Sequence, residues 1–353
     1  MVQFPEEVIV EILLRLPVKS LLRFRSVSKQ WLSLISDTQF GKSHFELAYA
    51  RTDRLIYIAD SQVRSIDFEA PFHDDSAVAR LNLPTTVSFM WPKITGSCRG
   101  LLLLENYPSL LVWNPSTGSH KLAPYSAIAA SNVFTFLFGF GYDPSTDDFL
   151  IVAASYDPQA DLGSAHFEFF SLKTNSWKKL EGDFPYMNHM DNARAGSLVN
   201  GAIHWLAFRH DVSQTVIVAF DLTEKKLKEL PWCDGLDVDD CELVLLGGFL
   251  CLCVDVNNMW VMKEYGVQSS WTKLDKVFDI PGSYYLPICY TKGGHIVGTD
   301  GDNGLLKNNH NGELLEYREY CDDRHGCQVA LYTHSLLTLP LGEAVEDRQQ
   351  YQA

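Results

Sequence analysis

The densest grouping of metal-ligating side chains in the sequence is Cys321-x3-His325-x-Cys327, with His295 or His310 available as a fourth ligand. Thiolate and imidazole ligands suit zinc, but zinc sites usually show paired Cys-x2-Cys or His-x3-His spacing. This cluster stands alone beside Asp322, Asp323 and Arg324, the pattern of a solvated loop, so no metal site is expected. Cys251 and Cys253 alternate with leucines; on a strand they share one side and act as small apolar groups rather than a redox pair. Gly139-Phe140-Gly141 lacks the third glycine and the following helix of a dinucleotide fingerprint, and no phosphate-loop pattern occurs. Ser, His and Asp are plentiful, yet no Gly-x-Ser-x-Gly elbow or catalytic-cysteine signature singles out a nucleophile. The expectation is no catalytic residue and no cofactor, which leaves recognition as the chemistry to look for.

Recognition residues concentrate at the N-terminus. Val8, Ile12 and Leu16 recur every four residues with Ile9 and Leu13 beside them, while Glu7, Glu11 and Arg15 fall on the other side, which predicts an amphipathic helix. Pro17 ends it and suits the first turn of a second helical segment carrying Leu21 and Leu22. A short third helix through Trp31, Leu34 and Ile35 is expected to end near Asp37. Three short helices bury little apolar area by themselves, so the module must lean on something else.

Phe4-Pro5, Val8-x3-Ile12-Leu13-x2-Leu16-Pro17, Val18-Lys19-Ser20-Leu21-Leu22 and Val27-Ser28-Lys29-x-Trp31 together resemble the F-box. That motif attaches substrate receptors to the Skp-type adaptor of cullin-based ubiquitin ligases. Phe4 departs from the leucine that usually opens the motif, but it is apolar and can fill the same groove. The resemblance implies that Phe4, Pro5, Ile9, Ile12, Leu13, Leu16, Pro17, Leu21, Leu22, Val27 and Trp31 contact the adaptor. This is helix-in-groove recognition, with apolar anchors around a central aromatic. Ile12 poses a conflict, because it cannot both fill the module's core and be given wholly to a partner.

After residue 55 the helical period gives way to short alternating strands separated by turns such as Asn114-Pro115-Ser116-Thr117-Gly118, Asp143-Pro144-Ser145-Thr146-Asp147, Asn200-Gly201, Gly247-Gly248 and Asn311-Gly312. A degenerate unit recurs, each copy closing on a strand that ends in leucine, as at Leu122, Leu180, Leu230, Leu274 and Leu315. Intervals of roughly 40–60 residues suit propeller blades. Five units are countable, and the stretches 55–69 and 328–339 are expected to join across the ends as a sixth, removing exposed edges. The fold expected is therefore mainly β, a six-bladed β-propeller preceded by a small three-helix module, with five or seven blades left open. Boundaries fall at 1–45 (helical module), 46–54 (linker), 55–340 (propeller) and 341–353 (tail).

The glycine pairs with nearby tryptophans partly resemble kelch repeats. More specifically, GSCRGLLLL, VWNPSTG, FGFGYDPSTDDF and NGAIHWLA resemble the F-box-associated domain of plant F-box proteins over 96–339. The family implies the substrate-recognition subunit of a Skp-cullin-F-box ubiquitin ligase, whose propeller holds an unknown protein target for degradation. A propeller enzyme or carbohydrate-binding lectin with a helical assembly module is the alternative.

Selectivity in such a receptor belongs on loops held by rigid sheets. The longest insertions are 69–93, 156–163, 181–194 and 232–240, and within them Tyr186, His189, Arg194, Trp232 and Asp234 are the expected target contacts. The net charge of -15, from 29 basic and 44 acidic side chains, argues against a nucleic-acid partner. Six basic and five acidic groups fall in 1–50, so the deficit lies in the propeller and points to a basic or neutral target. Charged residues interrupt the N-terminal apolar run, and neither 122–142 nor 243–254 reads as a membrane span. Eight cysteines without a secretory signal suggest a reducing compartment, the cytoplasm or nucleus.

Overall fold

The computed structural model describes residues 5–47, 52–59, 62–84, 92–106, 108–126, 134–156, 165–182, 184–187, 194–233, 236, 241–255, 258–274, 285–320 and 326–339. The helical module contains α1 (Glu6–Leu13), α2 (Val18–Phe24), α3 (Lys29–Ile35) and α4 (Thr38–Leu47). Pro5 and Pro17 stand just before α1 and α2 with extended backbones, where a missing N–H costs nothing. Ser28 Oγ accepts from Trp31 N at 3.1 Å and caps α3.

The three expected helices are present, and α4 is an addition. Asp37, read from sequence as the end of the third helix, instead caps the fourth, its Oδ1 accepting from Phe40 N at 2.9 Å. The apolar pattern of α4 is interrupted by Gly41 and His44, both of which are buried, so periodicity alone gave little sign of it. His44 enters the core because its Nε2 lies 2.8 Å from the Leu16 carbonyl.

The rest of the described chain is chiefly six sheets arranged as a β-propeller, antiparallel except for one short parallel pairing at the inner edge of blade 3. Blade 2 comprises Lys93–Cys98, Leu101–Asn106, Ser109–Trp113 and His120–Pro124 from centre to rim. Blade 3 is Phe134–Asp143, Asp148–Tyr156, Ala165–Ser171 and Ser176–Lys179. Blade 4 is built on Ala202–Arg209, Gln214–Asp221 and Lys226–Leu230; its innermost strand is divided between Ser197–Val199 and Tyr186–Met187. Blade 5 is Glu242–Leu246, Phe249–Asp255, Asn258–Met262 and Trp271–Leu274, and blade 6 is Leu286–Tyr290, Ile296–Thr299, Gly304–Asn308 and Leu314–Glu319.

Blade 1 closes the ring. Its centre strand, Gln328–Thr333, comes from the C-terminal end and pairs antiparallel with Asp53–Ala59, followed outward by Gln62–Ile66 and Val78–Leu81. Joining across the ends was expected, but as a pair of strands from each end. Three come from the N-terminal side and one from the C-terminal side, and residues 334–339 leave the sheet.

Strand alternation divides the propeller into two faces. Turns between strands one and two and between three and four lie on one face; connections between strands two and three and between blades lie on the other. The first, here the turn face, carries the tight turns read from sequence, several with positive φ: Asn200 and Gly201 at 51° and 72°, Gly247 and Gly248 at 61° and 85°. The second, the loop face, receives nearly all of the long insertions. Asp53 begins and Thr333 ends on the turn face, so the helical module attaches there. Gly139 explains the FGFG sequence: a Cβ there would lie 2.6 Å from Ile203 and Trp205 of blade 4, and Trp205 Nε1 donates to the Phe138 carbonyl at 2.7 Å. The glycine is needed for blade packing, not for a phosphate.

Candidate functional site

The helical module resolves the conflict posed by Ile12. Leu13, Leu14, Val18, Leu21, Ile35 and Phe40 form its core with Leu336 from the C-terminal segment, leaving Ile12 52% exposed. Val8, Val27 and Leu32 are also exposed, at 42%, 61% and 47%. Among the predicted contacts, Pro5, Ile12, Pro17 and Val27 are exposed, Ile9, Leu16, Leu22 and Trp31 are half-buried, and Leu13 and Leu21 are internal. Phe4 lies outside the described residues. Trp31 is steadied edge-on by Phe24 at 5.4 Å between ring centres. The exposed members are apolar side chains left open on a module whose own core is already filled.

Two devices lock this module to the turn face. In the first, Arg99 pairs with Glu46, and its guanidinium carbon lies 4.6 Å from the Phe45 ring centre and 4.1 Å from that of Tyr142. Lys42 pairs with Asp147, which accepts from the Tyr142 hydroxyl at 2.7 Å. The second is the strap 334–339. Leu336 enters the helical core while Leu337 and Leu339 enter the propeller core with Phe45.

Buried Asn114, the first residue of the NPSTG turn, donates through Nδ2 to the carbonyls of Ser335 at 3.1 Å and Leu337 at 2.9 Å. Gly100 has φ of 81°, and a Cβ there would stand 2.4 Å from the Thr333 carbonyl oxygen. The GSCRG sequence thus supplies an arginine to hold α4 and a glycine to admit the strap.

On the loop face, the Tyr186 hydroxyl donates to Glu229 Oε1 at 2.8 Å, and Arg209 pairs with both Glu229 at 3.0 Å and Asp211 at 2.9 Å. Burial, reinforced by Glu229, pushes the Tyr186 hydroxyl well above the usual phenol range. Trp232 is half-buried against the core between blades 4 and 5, its Nε1 donating to the Leu236 carbonyl at 2.7 Å. The backbone of Arg194–Ala195 runs parallel to Leu137 and Phe138 on the inner edge of blade 3. His189 and Asp234 lie outside the described residues, as do Cys321 and His325 of the candidate metal cluster.

Two strongly perturbed titrating groups, His204 and Asp143, have protein partners. Burial lowers His204 to about 4, with its Nδ1 3.0 Å from the Ser197 carbonyl and its Nε2 2.7 Å from the Tyr265 hydroxyl. The neutral ring therefore donates through Nδ1 and accepts from Tyr265. Asp143 is fully buried; burial alone would raise its carboxyl, but Lys225 at 2.6 Å, Ser145 and Thr146 hold it well below the usual range. Burial pushes the Cys98, Cys251 and Cys289 thiols up to about 12, the condition of inert core cysteines. Among the described residues no three His, Cys, Asp or Glu side chains group as a metal site. No helix among them is long and apolar enough to cross a membrane.

A propeller locked to a small helical module with an uncovered apolar face defines the F-box class of substrate adaptors. The F-box domain family matches residues 1–43, and the family described as F-box associated beta propeller domain matches 53–295, so the chain belongs to the F-box proteins with an associated propeller. F-box protein CPR1 of Arabidopsis thaliana is 30% identical over 83% of this chain and 78% of its own length. An F-box/kelch-repeat protein of the same plant is 31% identical over 79% of each. Among solved structures, AztD of Citrobacter koseri aligns at TM-score 0.42 and 12% identity over 77% of this chain and 71% of that one, too loose a likeness to bear on function.

Proposed function

We propose that this chain is the substrate-recognition subunit of a Skp-cullin-F-box ubiquitin ligase. The helical face docks on the Skp-type adaptor and through it on cullin, while the loop face of the propeller holds a protein target. Other subunits transfer the ubiquitin, and this chain contributes proximity by raising the effective concentration of target lysines near the charged carrier. No side chain here need react. The observation that carries the reading is the uncovered surface of Val8, Ile12, Val27 and Leu32 over a complete internal core. Leu13 and Leu21 serve the adaptor by positioning these anchors.

Two further features support the reading. The helical module is fixed to the turn face, so the target side is held at a set orientation opposite the adaptor side. His204 and Asp143, both strongly perturbed, are satisfied by partners within and between blades, which supports docking over catalysis. A cytoplasmic or nuclear location fits the buried cysteines, outside any disulfide, at Cys98, Cys233, Cys241, Cys251, Cys253 and Cys289. The acidic balance fits a protein target better than nucleic acid.

The test is capture of a purified Skp-type adaptor by the full chain and by Ile12→Asp and Val27→Asp variants. Each is expected to lose at least about tenfold in affinity, the scale of an interface hot spot, with unchanged melting. Adaptor capture unaltered in both variants would overturn the reading.

A further inference from the structure

The geometry points to an anion-binding groove at the outer rim between blades 1 and 6, built to take an acidic peptide segment of the target. This inference rests on the receptor reading and specifies its recognition chemistry. The groove has a volume of about 360 Å³ and is lined by Arg64, Arg80, Arg318, Asp75, Glu319 and Tyr320. Three guanidinium groups converge there in a chain whose net charge is -15.

The arrangement is local and has an identifiable cost. Arg64 and Arg80 stand directly opposite each other on adjacent strands of blade 1, a like-charge juxtaposition that disfavours the sheet. Arg318 joins them from the outermost strand of blade 6. Arg64 and Arg318 also have structural duties: Arg64 donates to the Tyr320 carbonyl and Arg318 to the Phe72 carbonyl, joining the two blades. Arg80 has none, since among the described residues its exposed side chain meets no hydrogen-bond or ion-pair partner. A residue placed only to hold the blades together would not leave its charge unspent.

The carboxylates leave the guanidiniums available. Asp75 pairs with Arg318 at 2.7 Å, but its side chain is 87% exposed, so the pair is weak and an incoming anion can displace it. Glu319 is exposed and accepts from the Tyr317 hydroxyl at 2.8 Å. Arginine forks bind carboxylate and phosphate oxygens two at a time, so the shared ligand chemistry is a peptide-borne oxyanion. Either a run of Asp and Glu or a phosphorylated Ser or Thr supplies it. Arg64 lies at the middle of its strand and Arg80 and Arg318 near the loop-face ends of theirs, while Asp75 reaches the groove from the connection between strands three and four of blade 1.

The propeller's overall acidity had pointed to a basic or neutral target; this groove is a local exception. Sequence reading missed it because positions 64, 80 and 318 come together only through ring closure.

The test titrates the full chain, alone and with adaptor bound, with three fluorescent pentapeptides that share flanking alanines. Their centres are serine, phosphoserine or a triple glutamate. Saturable binding of the phosphoserine or triglutamate peptide is expected, weaker by at least tenfold for the serine peptide and falling with added salt. Phosphoserine binding alone identifies a modification-dependent target, and equal binding of both anions identifies an acidic stretch. Arg80→Glu should abolish binding and Arg80→Lys restore part of it, with melting not lowered, because Arg80 holds nothing else and a glutamate opposite Arg64 relieves the like-charge pair. No preference for either anionic peptide, or unaltered binding in Arg80→Glu, would sink the proposal. Adaptor capture is read in the same samples: its loss with peptide binding intact defeats the receptor reading instead.

Discussion

The helical module leaves Val8, Ile12, Val27 and Leu32 exposed, whereas the propeller exposes Leu122, Val212 and Phe249 on three separate blades and Tyr290, Leu314, Leu315 and Tyr317 on blade 6. The module also borrows a residue, Leu336, to complete its core, while the propeller completes itself by pairing its first strands with its last. The difference teaches that these parts are stabilised by different means. A closed ring of sheets leaves only short edges at its rim and centre and holds fully buried polar groups such as Asp143. A few short helices cannot do so, and are held by the platform beneath them and by whatever covers their face.

The contrast can be broken most forcefully from the propeller side. Lys225→Met removes the cationic partner of fully buried Asp143 between blades 3 and 4. A loss of about 3–5 kcal/mol in urea unfolding is expected, the cost of an uncompensated buried carboxylate. Restoring stability with the additional Asp143→Asn change would verify the cause, and a wild-type midpoint for the single variant would refute it.

Leu336→Ala should cost about 2–5 kcal/mol as a core cavity, but locally. Hydrogen exchange is expected to speed up in α1 to α3 while blades 3 to 5 keep their protection. Equal loosening of the propeller would erase the distinction between the two regions.

Asn114→Ala unpairs the carbonyls of Ser335 and Leu337 and should cost about 1–3 kcal/mol, together with weaker adaptor capture as the strap loosens. Full adaptor affinity in that variant would show that the Arg99 and Lys42 contacts suffice to hold the module.

The smallest effect expected is on pH dependence. Burial lowers both His204 and His334 to about 4, and for His334 nearby Arg54 and Lys19 add to the shift while Asp53 and Asp67 oppose it. An unfolded histidine titrates near 6.5, so between about 6.5 and 4 the unfolded chain takes up protons that the folded chain refuses. Stability from these groups is complete above pH 6.5 and declines as pH falls toward 4. His334 sits where the strap meets the helical module, so exchange protection there should fall before that of the blade 4 interior, and His334→Gln should delay it. Simultaneous loss in both places would argue against separate stabilities.

Much of the fold could be read from sequence because strands and turns leave local marks. The units closing at Leu122, Leu180, Leu230, Leu274 and Leu315 correspond to blades 2 to 6, since short apolar strand runs and Asn-Gly or Gly-Gly turns are set by neighbouring residues. The fourth helix was not legible, because its burial of Gly41 and His44 depends on the strap and the Leu16 carbonyl. Of the site, the motif identified the helical face, but it could not separate exposed Ile12 from buried Leu13, adjacent residues of one apolar pattern. Nor could spacing reveal that the Trp232 indole is held by the Leu236 carbonyl.

The sequence alone determined what depends on near neighbours: an amphipathic helical module, repeating hairpins, turns at their glycines and asparagines, and a family resemblance carried by contiguous motifs. Tertiary structure decided what depends on ring closure and packing. It placed Leu336 in a core some three hundred residues upstream, set Arg64 and Arg80 beside Arg318, and divided the apolar residues of α1 between core and surface. Those pairings join residues far apart in the chain, and closing so long a loop leaves no periodic trace along it.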